Sequence, residues 1–197
     1  MNLAHRWLCN SKRWRQVVGM YALPWTLEGI ELGSRVLEIG PGFGAATDHL
    51  MNPARHLTCV EINPRMAKKL LRRTAGHNVT VLCEDATRSS LDSDVFDSAV
   101  CFTMLHHVPS QELQERLLRE VLRVLRPGGV FAGTDSRQGR FFRLLHLFDT
   151  LTVVDPMTFA ERLAAAGFED ARVDSNPYAF RFRARKPWVA EAERVSA

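Results

Sequence analysis

The sequence predicts an α/β fold, a three-layer sandwich in which a mostly parallel sheet of about seven strands lies between two layers of helices. Three observations predict it. Short apolar runs of strand length alternate with segments of helical periodicity along the 197 residues. Asn63-Pro64 and Asp155-Pro156 each set a capping side chain before a proline at a first helical position. A glycine-rich turn, Gly40-Pro41-Gly42-Phe43-Gly44, stands between the first apolar run and the segment read as a following helix.

The strands are predicted at Arg35 to Ile39, Leu57 to Val60, Val79 to Leu82, Ser98 to Phe102 and Val130 to Gly133. A helix from about Ser110 to Leu125 carries Leu113, Leu117, Val121 and Val124 on one face. Arg126-Pro127-Gly128-Gly129 then stops it and turns into the fifth strand. Past Gly167, the runs Phe168 to Asp174 and Tyr178 to Arg183, joined around Asn176-Pro177, give the sheet an antiparallel end.

With 46% hydrophobic and 24% charged residues, the composition is that of one globular domain with a core of its own. It is expected to divide into a helical cover over 1–30, a ligand-binding core over 31–135, a lid-like insert over 136–155, and a closing helix and strands over 156–197. No stretch of bilayer length is free of charge, and the opening Met1-Asn2-Leu3-Ala4-His5-Arg6 lacks the apolar run of a secretory leader. The cytoplasm is therefore the expected location. Cys9, Cys59, Cys83 and Cys101 contain no Cys-x-x-Cys pair, and the last three fall in apolar runs. They are expected to be reduced, buried core thiols with no metal role. The net charge of +4 comes mostly from arginines near the N-terminus and around Arg181, Arg183, Arg185 and Lys186. That charge is small beside that of dedicated nucleic-acid binders, so these residues are read as solvated faces.

Taken alone, Gly40-x-Gly42-x-x-Ala45 fits the turn of a dinucleotide site, with Glu61 as the acid about twenty residues on. The positions of the acids separate the readings. Glu38 lies two residues before the first glycine, Glu61 ends the second strand, and Glu84-Asp85-Ala86 ends the third. In these motifs the chain resembles the class I, Rossmann-like, S-adenosylmethionine-dependent methyltransferases. The resemblance runs closely from Arg35 to Gly129 and loosely to Arg185. It is strongest to the small-molecule branch typified by quinone-biosynthesis methyltransferases, through Met104-Leu105-His106-His107-Val108 and Leu125-Arg126-Pro127-Gly128-Gly129.

The resemblance implies S-adenosyl-L-methionine as cofactor. It gives Gly40, Gly42 and Gly44 the task of leaving room for the methionine tail, with Glu38 and the Phe102 carbonyl toward its ammonium. Glu61 accepts from the ribose hydroxyls, as an ionised acid only accepts hydrogen bonds. Asp85 accepts from the adenine amine while the Ala86 N–H donates to a ring nitrogen. Ile62 and Met104, or Leu105, cover the apolar faces of the base.

Methyl transfer from a sulfonium mainly requires an acceptor held in line and water kept out. A neutral nucleophile adds the need for a base, and His106, just past the fourth strand, is the expected one; packing or capping the next helix is its alternative role. Phe102-Thr103-Met104-Leu105 stands where nucleic-acid amino-methylating enzymes resembling this family carry Asp/Asn-Pro-Pro-aromatic. A small-molecule acceptor, methylated at carbon, oxygen or nitrogen, is therefore expected. An RNA or protein acceptor and a catalytically silent cofactor-binding module are the alternatives, with a nicotinamide-dependent reductase more distant. The acceptor side is expected from Trp7, Trp14, Tyr21 and Trp25, and from the insert Arg140 to Asp149 acting as a mobile lid.

Overall fold

The computed structural model describes residues 7, 9–137, 139 and 151–188, and the expected lid, Arg140 to Asp149, lies outside them. Five strands run parallel: β1 (Arg35–Ile39), β2 (His56–Val60), β3 (Val79–Leu82), β4 (Phe96–Phe102) and β5 (Leu125–Ser136). β6 (Glu169–Ser175) and β7 (Ala179–Arg185) close the sheet, and β7 runs antiparallel to both of its neighbours. The order across the sheet is β3-β2-β1-β4-β5-β7-β6. The chain thus starts at β1, steps outward to β3, then returns to β4 on the other side of β1. The two directions of travel diverge between β1 and β4, where open α/β sheets leave a crevice at the carboxyl ends of their strands.

Helices cover both faces. One face receives α1 (Lys12–Val17), a π-helical turn (Val18–Ala22), α2 (Leu23–Thr26), α3 (Thr47–Leu50) and α4 (Pro64–Arg73). Val18, Leu23, Leu50 and Leu70 pack there with Val36, Leu57, Val100 and Phe102 of the strands. The other face receives α5 (Gln111–Val124) and α6 (Pro156–Ala165), whose Leu117, Leu118, Val121, Phe159 and Leu163 meet Leu37, Ile39, Phe131 and Phe182. Phe182 stands edge-on to Phe131 and to Phe159, with ring centroids 4.9 Å apart in each pair. The capping chemistry is local: Asn63 accepts from the Arg65 and Met66 amides, Ser110 from Leu113, and Asp155 from Met157. Among the described residues, no helix is long and apolar enough to cross a membrane.

The helix expected after the glycine turn is present as a single turn, α3, with Asn52-Pro53 close behind it. Three local expectations are corrected. Arg126 to Gly129 do not separate α5 from the fifth strand; they are part of it. Leu125 already pairs with Phe96, and the Gly128 N–H and Gly129 carbonyl exchange hydrogen bonds with Lys186 beyond β7. On α5, Leu113 is only half-buried while Gln114 and Leu118 are buried, so the inward stripe is wider than expected. Cys83 is exposed, since it follows β3, the edge strand, all of whose residues are half-buried; Cys59 and Cys101 are buried as expected.

Candidate active site

The glycine turn, Glu61 and Asp85 follow the carboxyl ends of β1, β2 and β3, and Glu38 lies one residue before the end of β1. After Ile39 the backbone enters three left-handed glycines, Gly40, Gly42 and Gly44, with φ of 62°, 55° and 72°. Their surroundings differ. A Cβ on Gly40 would press against the Met104 side chain at 3.0 Å, and one on Gly44 would collide with Arg73 and Leu70. A Cβ on Gly42 would meet nothing within 4 Å. Gly42 is therefore the loop position that faces open space, and there the backbone is bare to an approaching ligand.

Glu61 fastens this loop. Its carboxylate accepts from the Gly42 N–H at 2.9 Å and from the Asn63 N–H at 2.8 Å, joining the end of β2 to the turn after β1. Burial pushes the Glu61 carboxyl above its ordinary range, and the two backbone N–H groups pull it back down. On the other side of the loop, the Arg73 guanidinium donates to the Phe43 and Gly44 carbonyls at 2.6 and 2.8 Å and pairs with Asp48 at 3.0 Å.

Glu38 sits deeper, 2% exposed, with one carboxylate oxygen accepting from the Thr47 hydroxyl at 2.7 Å and from the Cys59 thiol at 3.5 Å. Desolvation raises its carboxyl to about 7, against the lowering pull of Thr47 and Cys59. Asp85 is half-buried; it accepts from the Thr87 N–H at 2.9 Å and lies 3.6 Å from the exposed Arg88. Ala86 is also half-buried, whereas Ile62, beside Glu61, is 68% exposed, a large apolar side chain left in water on the rim of the crevice.

At the end of β4, Phe102 is buried and Thr103 takes a left-handed φ of 50° while its N–H bonds the Thr134 carbonyl. For a β-branched residue that conformation is strained, and it turns the chain so that Met104 lies over Gly40. His106 follows in a short 3-10 turn, Leu105–His107, and is buried. Asp135, fully buried at the end of β5, accepts from the His106 N–H at 3.0 Å and faces its Nδ1 at 2.5 Å. The N–H of Thr152 donates to the His106 carbonyl. Of the aromatics expected on the acceptor side, Trp7 and Tyr21 are exposed and Trp14 and Trp25 half-buried.

Sequence reasoning missed four contributors: Thr47 on Glu38, Arg73 on the loop carbonyls, the strained Thr103, and Asp135 on His106. Thr47 and Arg73 carried no motif. Asp135 had a faint signal, an acid at the end of a predicted apolar strand, the same signal that pointed to Glu61 and Asp85.

A doubly wound sheet with a glycine turn at its switch point and acids at successive strand ends is the architecture of a nucleoside-binding enzyme. Residues 37–133 match the family model described as a methyltransferase domain. The chain is 34% identical over 110 residues to the ubiquinone/menaquinone biosynthesis C-methyltransferase UbiE of Pseudomonas fluorescens, a match over 52% of this chain and 42% of that one. A thiol S-methyltransferase of Homo sapiens is 36% identical over 102 residues, 49% of this chain and 40% of that one. The chain thus spans about two-fifths of the length of these relatives. A solved Haemonchus contortus phosphoethanolamine N-methyltransferase 2, in complex with S-adenosyl-L-methionine, shares the fold, with a TM-score of 0.72 at 16% identity. That likeness covers 93% of this chain and 56% of that one.

The buried Glu38 gives the free protein a defined pH dependence. Its folded value, about 7, lies above that of an unfolded glutamate, so the folded state holds the extra proton. Its contribution is full at low pH and is lost as pH rises through about 7, by up to roughly 3 kcal/mol. Glu38→Gln should flatten this slope, so that in urea titrations the variant gains on the wild type as pH rises from about 5 to about 8. Parallel stability profiles for the two proteins would mean that Glu38 is not held as described.

Proposed function

We propose that this chain binds S-adenosyl-L-methionine across the β1–β4 crevice and transfers its methyl group to a small-molecule acceptor. The observation that carries the reading is the open space over Gly42 beside the Glu61 carboxylate. In this reading Gly40, Gly42 and Gly44 admit the methionine tail, and Glu38 and the Phe102 carbonyl meet its ammonium. Glu61 accepts from the ribose, Asp85 and the Ala86 N–H hold the adenine edge, and Ile62 and Met104 cover its faces. Each carboxylate has about four acceptor sites, so the bonds that Glu61 and Asp85 already make leave capacity for a ligand. Ile62 would trade contact with water for contact with the base.

The bound cofactor supplies an electrophilic methyl on a cationic sulfur. The chain's own part is to hold an acceptor in line, keep water out and, where the acceptor must lose a proton, receive it. We assign that last role to His106, with Asp135 as the positioning residue that holds Nδ1 and so fixes the ring. Relatives named for methylation at carbon and at sulfur support a small acceptor without fixing its atom.

Calorimetry tests the cofactor half. Asp85→Ala and Glu61→Ala should each weaken S-adenosyl-L-methionine binding by about 1 to 3 kcal/mol, because each strands ligand donors in a buried setting. Wild-type affinity in folded variants would remove these two acids from the site. Gly42→Asn is a sharper probe, since asparagine tolerates the left-handed backbone better than other side chains while filling the open space. It is expected to abolish binding with the unfolding transition retained. Release of S-adenosylhomocysteine over a panel of phenolic, quinol and thiol acceptors tests turnover. There, His106→Gln should lower the rate while leaving cofactor affinity unchanged; an unaltered rate would reduce His106 to a packing residue.

A further inference from the structure

The antiparallel end of the sheet carries a second charged locus, built from arginines the methyl-transfer reading does not use. Along one face of the β6–β7 ladder, Glu169 pairs with Arg185, Arg172 with Arg183, and Asp174 with Arg181. Two of these rungs oppose unlike charges. The middle rung opposes two arginines, which destabilises a ladder unless an anion lies between them. A bulge creates it: the register shifts between Glu169 and Arg172, where Asp170 takes a left-handed φ of 52°. Without the shift Ala171 would face Arg183, so the bulge re-aims an arginine.

Arg181 is fully engaged. It pairs with Glu28 at 2.8 Å and Asp174 at 3.1 Å, donates to the Trp25 carbonyl and lies over the Trp25 ring. Arg172 and Arg183 make no ion pair among the described residues. Both line a cavity of about 230 Å³, together with Thr26, Glu28, Asp174 and Arg181. The two carboxylates in that wall are both tied to Arg181, so three arginines against two carboxylates leave the wall a net charge of +1, with Arg172 and Arg183 as its arginines outside an ion pair. Thr26 is buried, and its hydroxyl has no hydrogen-bond partner.

We propose that this cavity binds a phosphate group, held between the guanidinium groups of Arg172 and Arg183 with the Thr26 hydroxyl as a further donor. Two planar forks match the oxygens of a phosphate, and a charged acceptor between them removes the repulsion of the middle rung. The volume lies below the roughly 300 Å³ at which pockets for whole drug-sized ligands begin, so it suits inorganic phosphate or the head of a small phosphomonoester. The site is separate from the cofactor crevice. Three strand spacings, about 14 Å, lie between the β1–β4 switch and the β7–β6 pair. Arg183 also pairs with Ala132, within β5 and not at its carboxyl end.

Inorganic phosphate, titrated into the full chain against chloride of matched ionic strength, should raise the thermal midpoint along a saturating curve and shift the Arg172 and Arg183 Nε resonances. R172Q and R183Q are each expected to weaken phosphate binding roughly tenfold or more. Because each also removes a like charge, the phosphate-free variants should unfold at or above the wild-type midpoint. R183K, which keeps the charge without the fork, should fall between, and S-adenosyl-L-methionine affinity should be unchanged throughout. Tighter binding of phenyl phosphate than of phosphate assigns an organic body to the ligand, and equal binding assigns phosphate itself. A midpoint that rises equally in wild type and both variants overturns the site, as does a wild type whose arginine resonances do not move.

Discussion

The register of three strands decides where everything else falls. Ile39 of β1 pairs with Val60 of β2 on one side and with Cys101 of β4 on the other, so β1 and β2 end level and β4 runs one residue further, to Phe102. All three are buried and mostly apolar over this stretch, which locks the register, since a slip of one residue would turn each side chain to the opposite face. The glycine turn and Glu61 therefore leave the sheet at one height, with Thr103 one residue above them. The Glu61 bonds to Gly42 and Asn63 then tie two of these exits together. The crevice is a consequence of register first and of side-chain chemistry second.

The same burial sets the electrostatics. Glu38 and Glu61 sit where ionisation is costly, and both are pushed upward by desolvation. What keeps Glu61 usable is a pair of backbone N–H donors; what holds Glu38 is a hydroxyl and a thiol. Neither acid has an ion pair among the described residues, and the nearby Arg73 spends its hydrogen bonds on the loop carbonyls and Asp48. A low-dielectric pocket of this kind rewards a cationic ligand more strongly than a surface site would, because the Coulomb attraction is less screened. The arrangement is one in which a free acid is tolerated at a cost that a bound positive charge offsets.

Much of the fold was legible in the sequence because its signals are local. Strand runs, the Asn63 and Asp155 caps and the left-handed glycines depend on neighbours a few residues away, and the structure has them where the pattern indicated. The misreadings concern contacts with distant residues. Arg126 to Gly129 form a turn by local propensity, yet Lys186 pairs with that backbone and keeps it in β5. Cys83 has an interior composition around it but follows an edge strand. The partners of the site's acids and histidine follow the same rule: Thr47 reaches Glu38, Arg73 reaches the carbonyls of Phe43 and Gly44, and Asp135 reaches His106. No spacing in the sequence encodes these meetings; the sheet order does.

The acceptor side depends on the fold differently from the cofactor side. The cofactor rim follows from β1 to β4, which any member of this architecture must build. Asp135, one residue before the end of β5, and Thr152, just inside the described residues that resume at 151, are both bonded to His106. Buried Gln114 adds a cross-brace, donating to the Leu105 and Thr152 carbonyls while Arg162 donates to its side-chain oxygen. These are directional polar bonds in a buried setting, which fix geometry more strictly than apolar packing does. His106 is thus anchored to the sheet through Asp135 and to α5 and α6 through Gln114 and Arg162. Its position is set by the scaffold.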